Sequence, residues 1–151
     1  MEREVFFSDY FQQLSTYEEI ARIDIPTYLE SKADKEYALE SYIEQLETHT
    51  DKAYTTLGIL DKQAVFHKDA LQNVQNDIKD VQAKIEASYR ERNSSEIINN
   101  IALLDEFVLV QQDHKYGQIF HQQLAKEYKS VIQFSENKLQ VIKANIPAIV
   151  Q

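Results

Sequence analysis

The side chains in this sequence best able to do chemistry are three histidines. His114 and His121 stand seven residues apart and so share one face of a helix, and the register of a helical hairpin sets His67 opposite them. Asp69 and Asp113 are close in sequence. Three imidazoles with a carboxylate could hold Zn²⁺ or another transition metal, because metal sites in bundles take side chains from facing helices. The favoured reading is a polar layer within an apolar seam, which fixes pairing register and needs no metal. The expectation is therefore no metal and no cofactor.

Other reaction centres lack their parts. A di-iron or di-manganese bundle uses Glu-x-x-His on two helices. Here Leu46, Ala64, Gln111 and Gln118 stand three residues before His49, His67, His114 and His121. There is no Gly-x-Ser-x-Gly elbow, no phosphate-cradling glycine loop and no His-Glu-x-x-His signature. Acidic pairs such as Glu44 and Glu47, or Asp77 and Asp80, have the spacing of a solvated helix face. The sequence reads as a non-enzyme.

The elements that would position these residues are long helices. Leu57, Leu60, Ala64, His67, Leu71, Val74, Ile78, Val81 and Ile85 recur at steps of three and four, which is the seam of a helix packed on another helix. With Gly 2 and Pro 2, the chain has little material for turns, so few long elements and short connections are expected. A first helix should cover residues 3–23 and end at Asp24-Ile25-Pro26, since the residue before proline disfavours helix. A second should cover 27–92, with 48–51 the place where it would break: Thr48 and Thr50 are β-branched and Asp51 is a plausible cap. Continuity through that point is the preferred reading. Asn93-Ser94-Ser95 should turn the chain, and a third helix should cover 96–145.

In that last helix the seam is read as Ile97, Ile101, Leu104 and Val108. It then loosens into steps of four through Tyr116, Phe120, Leu124 and Tyr128, the mark of a stutter. The tight turn folds the long helices back antiparallel with His67 near Phe120, as a rod of about 75 Å at 1.5 Å rise per residue. The fold class is thus all-α: an elongated, coiled-coil-like antiparallel helical hairpin with an extra N-terminal helix, forming a three- to four-helix bundle.

Composition narrows the function. In 151 residues the net charge is −9, with the sixteen lysines and arginines dispersed among acids, so no basic face is offered to nucleic acid and an anionic membrane surface is disfavoured. The absence of cysteine removes disulfides and thiolate sites and fits a reducing compartment, and the expected location is cytoplasmic. No apolar run approaches the roughly 20 residues of a spanning helix.

The surplus is apolar and aromatic. Ile101 to Leu104 and Phe107 to Val110 are apolar around most of the helix, so they need more than one neighbour. The first helix and a second copy of the chain are both possible neighbours. Phe7, Tyr10, Phe11 and Tyr17, with Leu104 and Val108, are the expected partner-binding residues, because aromatics bury much area at low entropic cost. The expected function is a non-catalytic structural or adaptor protein, pairing with itself or with other helical proteins. Two alternatives are a sensory or ligand-binding bundle with a pocket near Tyr116 and Gly117, and a membrane-associated hairpin of the BAR type.

Overall fold

The computed structural model describes the backbone from Glu2 to Gln151 and the side chains from Ser8 onward. It is all-α, and no strand occurs among the described residues. Five helices follow in order: α1 (Glu2–Ala21), α2 (Ile25–Glu30), α3 (Lys35–Arg90), α4 (Ser94–Ala144) and α5 (Ile146–Ile149). The long helices α3 and α4 pack antiparallel as a hairpin, and two compact units are distinguished along them. The first comprises Met1–Ile59 with Ala125–Gln151, and the second Leu60–Leu124.

The expected helix over 27–92 is divided early. Pro26 opens α2, and the Thr27 hydroxyl donates to the Asp24 carboxylate. After Glu30 the chain turns through Ser31 to Asp34. Asp34 then starts α3 by accepting the Tyr37 N–H at 3.1 Å, satisfying one of the donors a helix start leaves open. No break occurs at Thr48–Asp51. Thr50 donates its hydroxyl to the Leu46 carbonyl one turn back (2.8 Å) and bonds the Tyr17 hydroxyl (2.7 Å), so a β-branched polar residue is fully partnered inside the helix.

The turn between the long helices uses Arg92, not Asn93, as its left-handed residue (φ 54°). The Asn93 N–H reaches back to the Ser88 carbonyl at 3.0 Å, the six-to-one bond of a Schellman ending. Asn93 then serves α4, its side-chain oxygen accepting the Glu96 N–H at 3.3 Å. Each residue of the turn thus closes one helix or opens the next.

In the first unit three helices share a core, with α1 antiparallel to α3 and running alongside α4 in the same direction. Its centre is three fully buried tyrosines, Tyr17, Tyr42 and Tyr128. A buried hydroxyl needs a partner, and each has one. Tyr17 meets Thr50, Tyr42 donates to the Ile20 carbonyl (2.6 Å), and Tyr128 donates to the Tyr10 carbonyl (2.7 Å) and lies 2.9 Å from the Gln13 amide oxygen. Leu14, Leu29, Leu39, Leu46, Ile132 and Ile142 fill the space around them.

Lys138 closes this core. Its ammonium donates to the Ala21 carbonyl (2.7 Å), the Ile23 carbonyl (2.5 Å) and the Tyr42 hydroxyl (2.9 Å). A cation there satisfies the open carbonyls at the end of α1 and meets the negative end of its dipole. Burial lowers the pKa of Lys138, an effect that Asp24 partly opposes.

The second unit consists of the two long helices alone. On α3 the expected seam holds: Leu60, Ala64, His67, Val74, Val81 and Ser88 are buried, and Leu71, Ile78 and Ile85 are half-buried. On α4 Ile97, Asn100, Leu104, Phe107, Gln111, His114, Gln118 and His121 form an inward row at alternating steps of three and four, with Leu103, Gly117 and Phe120 half-buried beside it. Of the residues read as a stutter, Phe120, Leu124 and Tyr128 do face inward. Ile101, Val108 and Tyr116, read as seam positions, instead face outward at 45%, 36% and 69% exposure. Polar members of the seam account for the loosened apolar rhythm.

Candidate functional site

Two features of the second unit stand apart from ordinary core: the histidine layer inside its seam and the apolar stripe outside it. The heptad places His67 on α3 against His114 and His121 on α4, as the hairpin register required. The His67 and His114 Nδ1 atoms are 3.0 Å apart, so one ring donates its N–H and the other accepts on a lone pair. His121 Nδ1 lies 2.7 Å from the Gly117 carbonyl, which can only accept, so that nitrogen carries a proton. The His67 ring centre is 5.3 Å from that of His114 and 5.2 Å from that of His121. Phe66 stands edge-on to His67 and His114, and Phe120 edge-on to His121.

This is a packed layer in which ring nitrogens engage one another and the helix backbone. Among the described residues no group of three or more His, Cys, Asp or Glu side chains is placed to hold a metal ion. Gly117 completes the layer. A Cβ at this position would come within 2.7–2.8 Å of three atoms of the His67 ring, well inside van der Waals contact. The space beside Gly117 is therefore filled by an imidazole.

The outer face of α4 is different. Ile98 (67% exposed), Ile101, Val108, Leu109 (63%), Tyr116 and Ile119 (54%) all present apolar surface outward. Scattered exposed apolar residues are normal; here they form a row along one helix of a two-helix unit. Ala102 adds small apolar surface to the row, and Asp105, Gln112 and Lys115 supply its polar positions.

The six expected partner-binding residues divide accordingly. Tyr10 (6% exposed) and Tyr17 (0%) belong to the core of the first unit, which corrects their reading as docking residues: their aromatic area is already buried within this chain. Leu104 is half-buried on the α4 seam. Phe11 is 49% exposed and Val108 lies on the outward stripe. Phe7 falls outside the described side chains. The outward row also includes Ile98, Leu109 and Ile119, which sequence reasoning did not single out. Carrying the three-four rhythm of Ile97 through Gln111, His114 and Gln118 would have left all three outside.

The first unit has an apolar cleft of about 680 Å³ between the start of α2, the end of α4 and α5, lined by Ile23, Pro26, Phe134, Lys138, Val141 and Ile149 among others. The Lys138 ammonium on its wall is already committed to the backbone carbonyls of Ala21 and Ile23. No helix among the described residues is long and apolar enough to cross a membrane. No family model matches this chain, and no curated protein or solved structure matches it at a significant level.

Proposed function

We propose that this chain is a non-catalytic structural or adaptor protein of the cytoplasm that assembles through helix-on-helix contacts, with the outward stripe of α4 as its docking surface. The observation that carries this reading is the row Ile98, Ile101, Val108, Leu109, Tyr116 and Ile119, exposed on a unit that has only two helices. An amphipathic partner helix laid along such a row buries apolar area on both sides, with Tyr116 as an aromatic anchor. The stripe is also the most economical explanation for a helix apolar on two faces, one of which the hairpin already uses. The absence of cysteine agrees with a reducing compartment.

The test is a variant with Ile98, Leu109 and Ile119 each replaced by Gln. If the stripe serves assembly, the variant loses association, measured by sedimentation velocity, while its melting temperature stays at or above that of wild type diluted until it is monomeric, since association itself raises Tm. A variant that melts well below the monomeric wild type would show that these side chains support the fold itself, and the reading would fail.

A further inference from the structure

We infer that the occupant of the α4 stripe is a second copy of the same chain, its α4 running antiparallel about a two-fold axis at the Val108–Leu109 peptide. This rests on the stripe being a docking surface, and it adds the identity and geometry of the partner.

A two-fold interface needs a self-complementary surface: whatever residue i of one copy meets, the second copy meets in turn. The stripe has that property. Reflected about the Val108–Leu109 midpoint, Ile98 falls on Ile119, Ile101 on Tyr116 and Val108 on Leu109, so apolar meets apolar at both ends and at the centre. Between these zones Asp105 falls on Gln112, a carboxylate opposite an amide donor, and Ala102 falls on Lys115. Asp105 is also one helical turn from Ala102, which brings it beside Lys115 of the second copy. Two such pairs form, one on each side of the axis.

Charge selects this arrangement over the parallel one. In-register parallel helices would set Asp105 against Asp105 and Lys115 against Lys115, like charges directly opposed. They would also align the two helix dipoles unfavourably. The antiparallel arrangement turns both repulsions into attractions.

The chain has no cysteine, so two introduced ones can report the geometry directly. Asp105→Cys and Gln112→Cys are made as separate proteins and mildly oxidised alone and mixed. In the antiparallel pair position 105 faces position 112, whereas identical positions lie about 10 Å apart along the axis at 1.5 Å rise per residue. That exceeds the roughly 7 Å limit for bridging two Cα atoms. The expected result is a cross-linked dimer from the mixture, joined 105 to 112, and no cross-link from either protein alone. Cross-linking of Asp105→Cys with itself would mean a parallel pair and overturn the inference while leaving the docking surface standing. A wild type that stays a monomer by light scattering at every concentration, with no cross-link in the mixture, would also overturn it. The broader adaptor reading fails on a different readout, a melting temperature of the glutamine variant below that of wild type diluted to the monomer.

Discussion

The two glycines of the chain, Gly58 and Gly117, both lie inside long helices and should respond to alanine in opposite ways. In a helix interior alanine is favoured over glycine by about 0.8–1.0 kcal/mol, because glycine has more backbone freedom to lose. At Gly58 an added Cβ meets nothing within 4 Å, so Gly58→Ala should stabilise the protein by about that amount. At Gly117 the same Cβ would stand 2.7 Å from His67 Cε1 and 2.8 Å from both ring nitrogens. His67 is buried, and its Nδ1 is 3.0 Å from that of His114, so the ring cannot swing away without giving up that bond. Overpacking of this kind costs about 1–3 kcal/mol. Set against the helix-propensity gain, Gly117→Ala should range from about neutral to 2 kcal/mol destabilising. Urea unfolding followed by helical circular dichroism measures both variants on one scale, and the gap between them should be about 1–3 kcal/mol. A double-mutant cycle assigns the cause, because in a His67→Ala background Gly117→Ala should again be stabilising. If Gly117→Ala stabilises the wild type as much as Gly58→Ala does, the imidazole does not fill the space beside Gly117.

Two further outcomes follow from the first unit. Lys138→Met removes charge-assisted bonds to the Ala21 and Ile23 carbonyls and should cost about 2 kcal/mol, or a fall in Tm of about 5 °C for a chain of this size. The exposed Lys129→Met serves as control, and equal effects from the two would refute the latch. The buried tyrosines make the fold sensitive to alkali: burial, and then Tyr28, push Tyr42 up to about 12, and burial also raises Tyr10 and Tyr128. A raised phenol pKa means the folded state holds its proton while the unfolded chain ionises near 10. Stability is therefore full below pH 10 and falls as pH rises from 10 toward 12, by about 2–3 kcal/mol for Tyr42 alone. Part of the tyrosinate absorbance should rise only above pH 10, together with loss of helix, as the buried Tyr42 ionises. A single ionisation near pH 10 with helix intact would contradict the buried core.

Much of this fold was legible because apolar spacing states a helical seam directly. Leu60, Ala64, Val74 and Val81 on α3 fell on the face where they pack, and His67 came to rest beside His114 and His121. Reading failed where polar residues occupy structural positions. Gln111, His114 and Gln118 continue the α4 seam, but a rhythm read from apolar residues alone slides onto Ile101, Val108 and Tyr116, which face outward. The division at Ser31–Asp34 was hidden for a similar reason: neither proline nor glycine marks it, and the signal is a single aspartate capping the next helix. Tyr17 is buried against Thr50, 33 residues away, and the Tyr10 carbonyl takes the hydroxyl of Tyr128, 118 residues away, pairings that spacing cannot reveal. The outward apolar stripe was half visible. The excess of apolar residues between Ile97 and Val110 was plain, but its outward members emerge only when the inward ones are correctly assigned.

Sedimentation equilibrium of the wild type beside Leu109→Glu tests the proposal that the outward face of α4 assembles with a second copy. Leu109 sits next to the proposed two-fold axis, so glutamate there brings two like charges together in a desolvated centre. Such a juxtaposition should weaken the dimer by at least about 100-fold. The wild type should have the mass of two chains and the variant the mass of one, both with the same helical signal. A wild type with the mass of a single chain throughout, indistinguishable from Leu109→Glu, would contradict it.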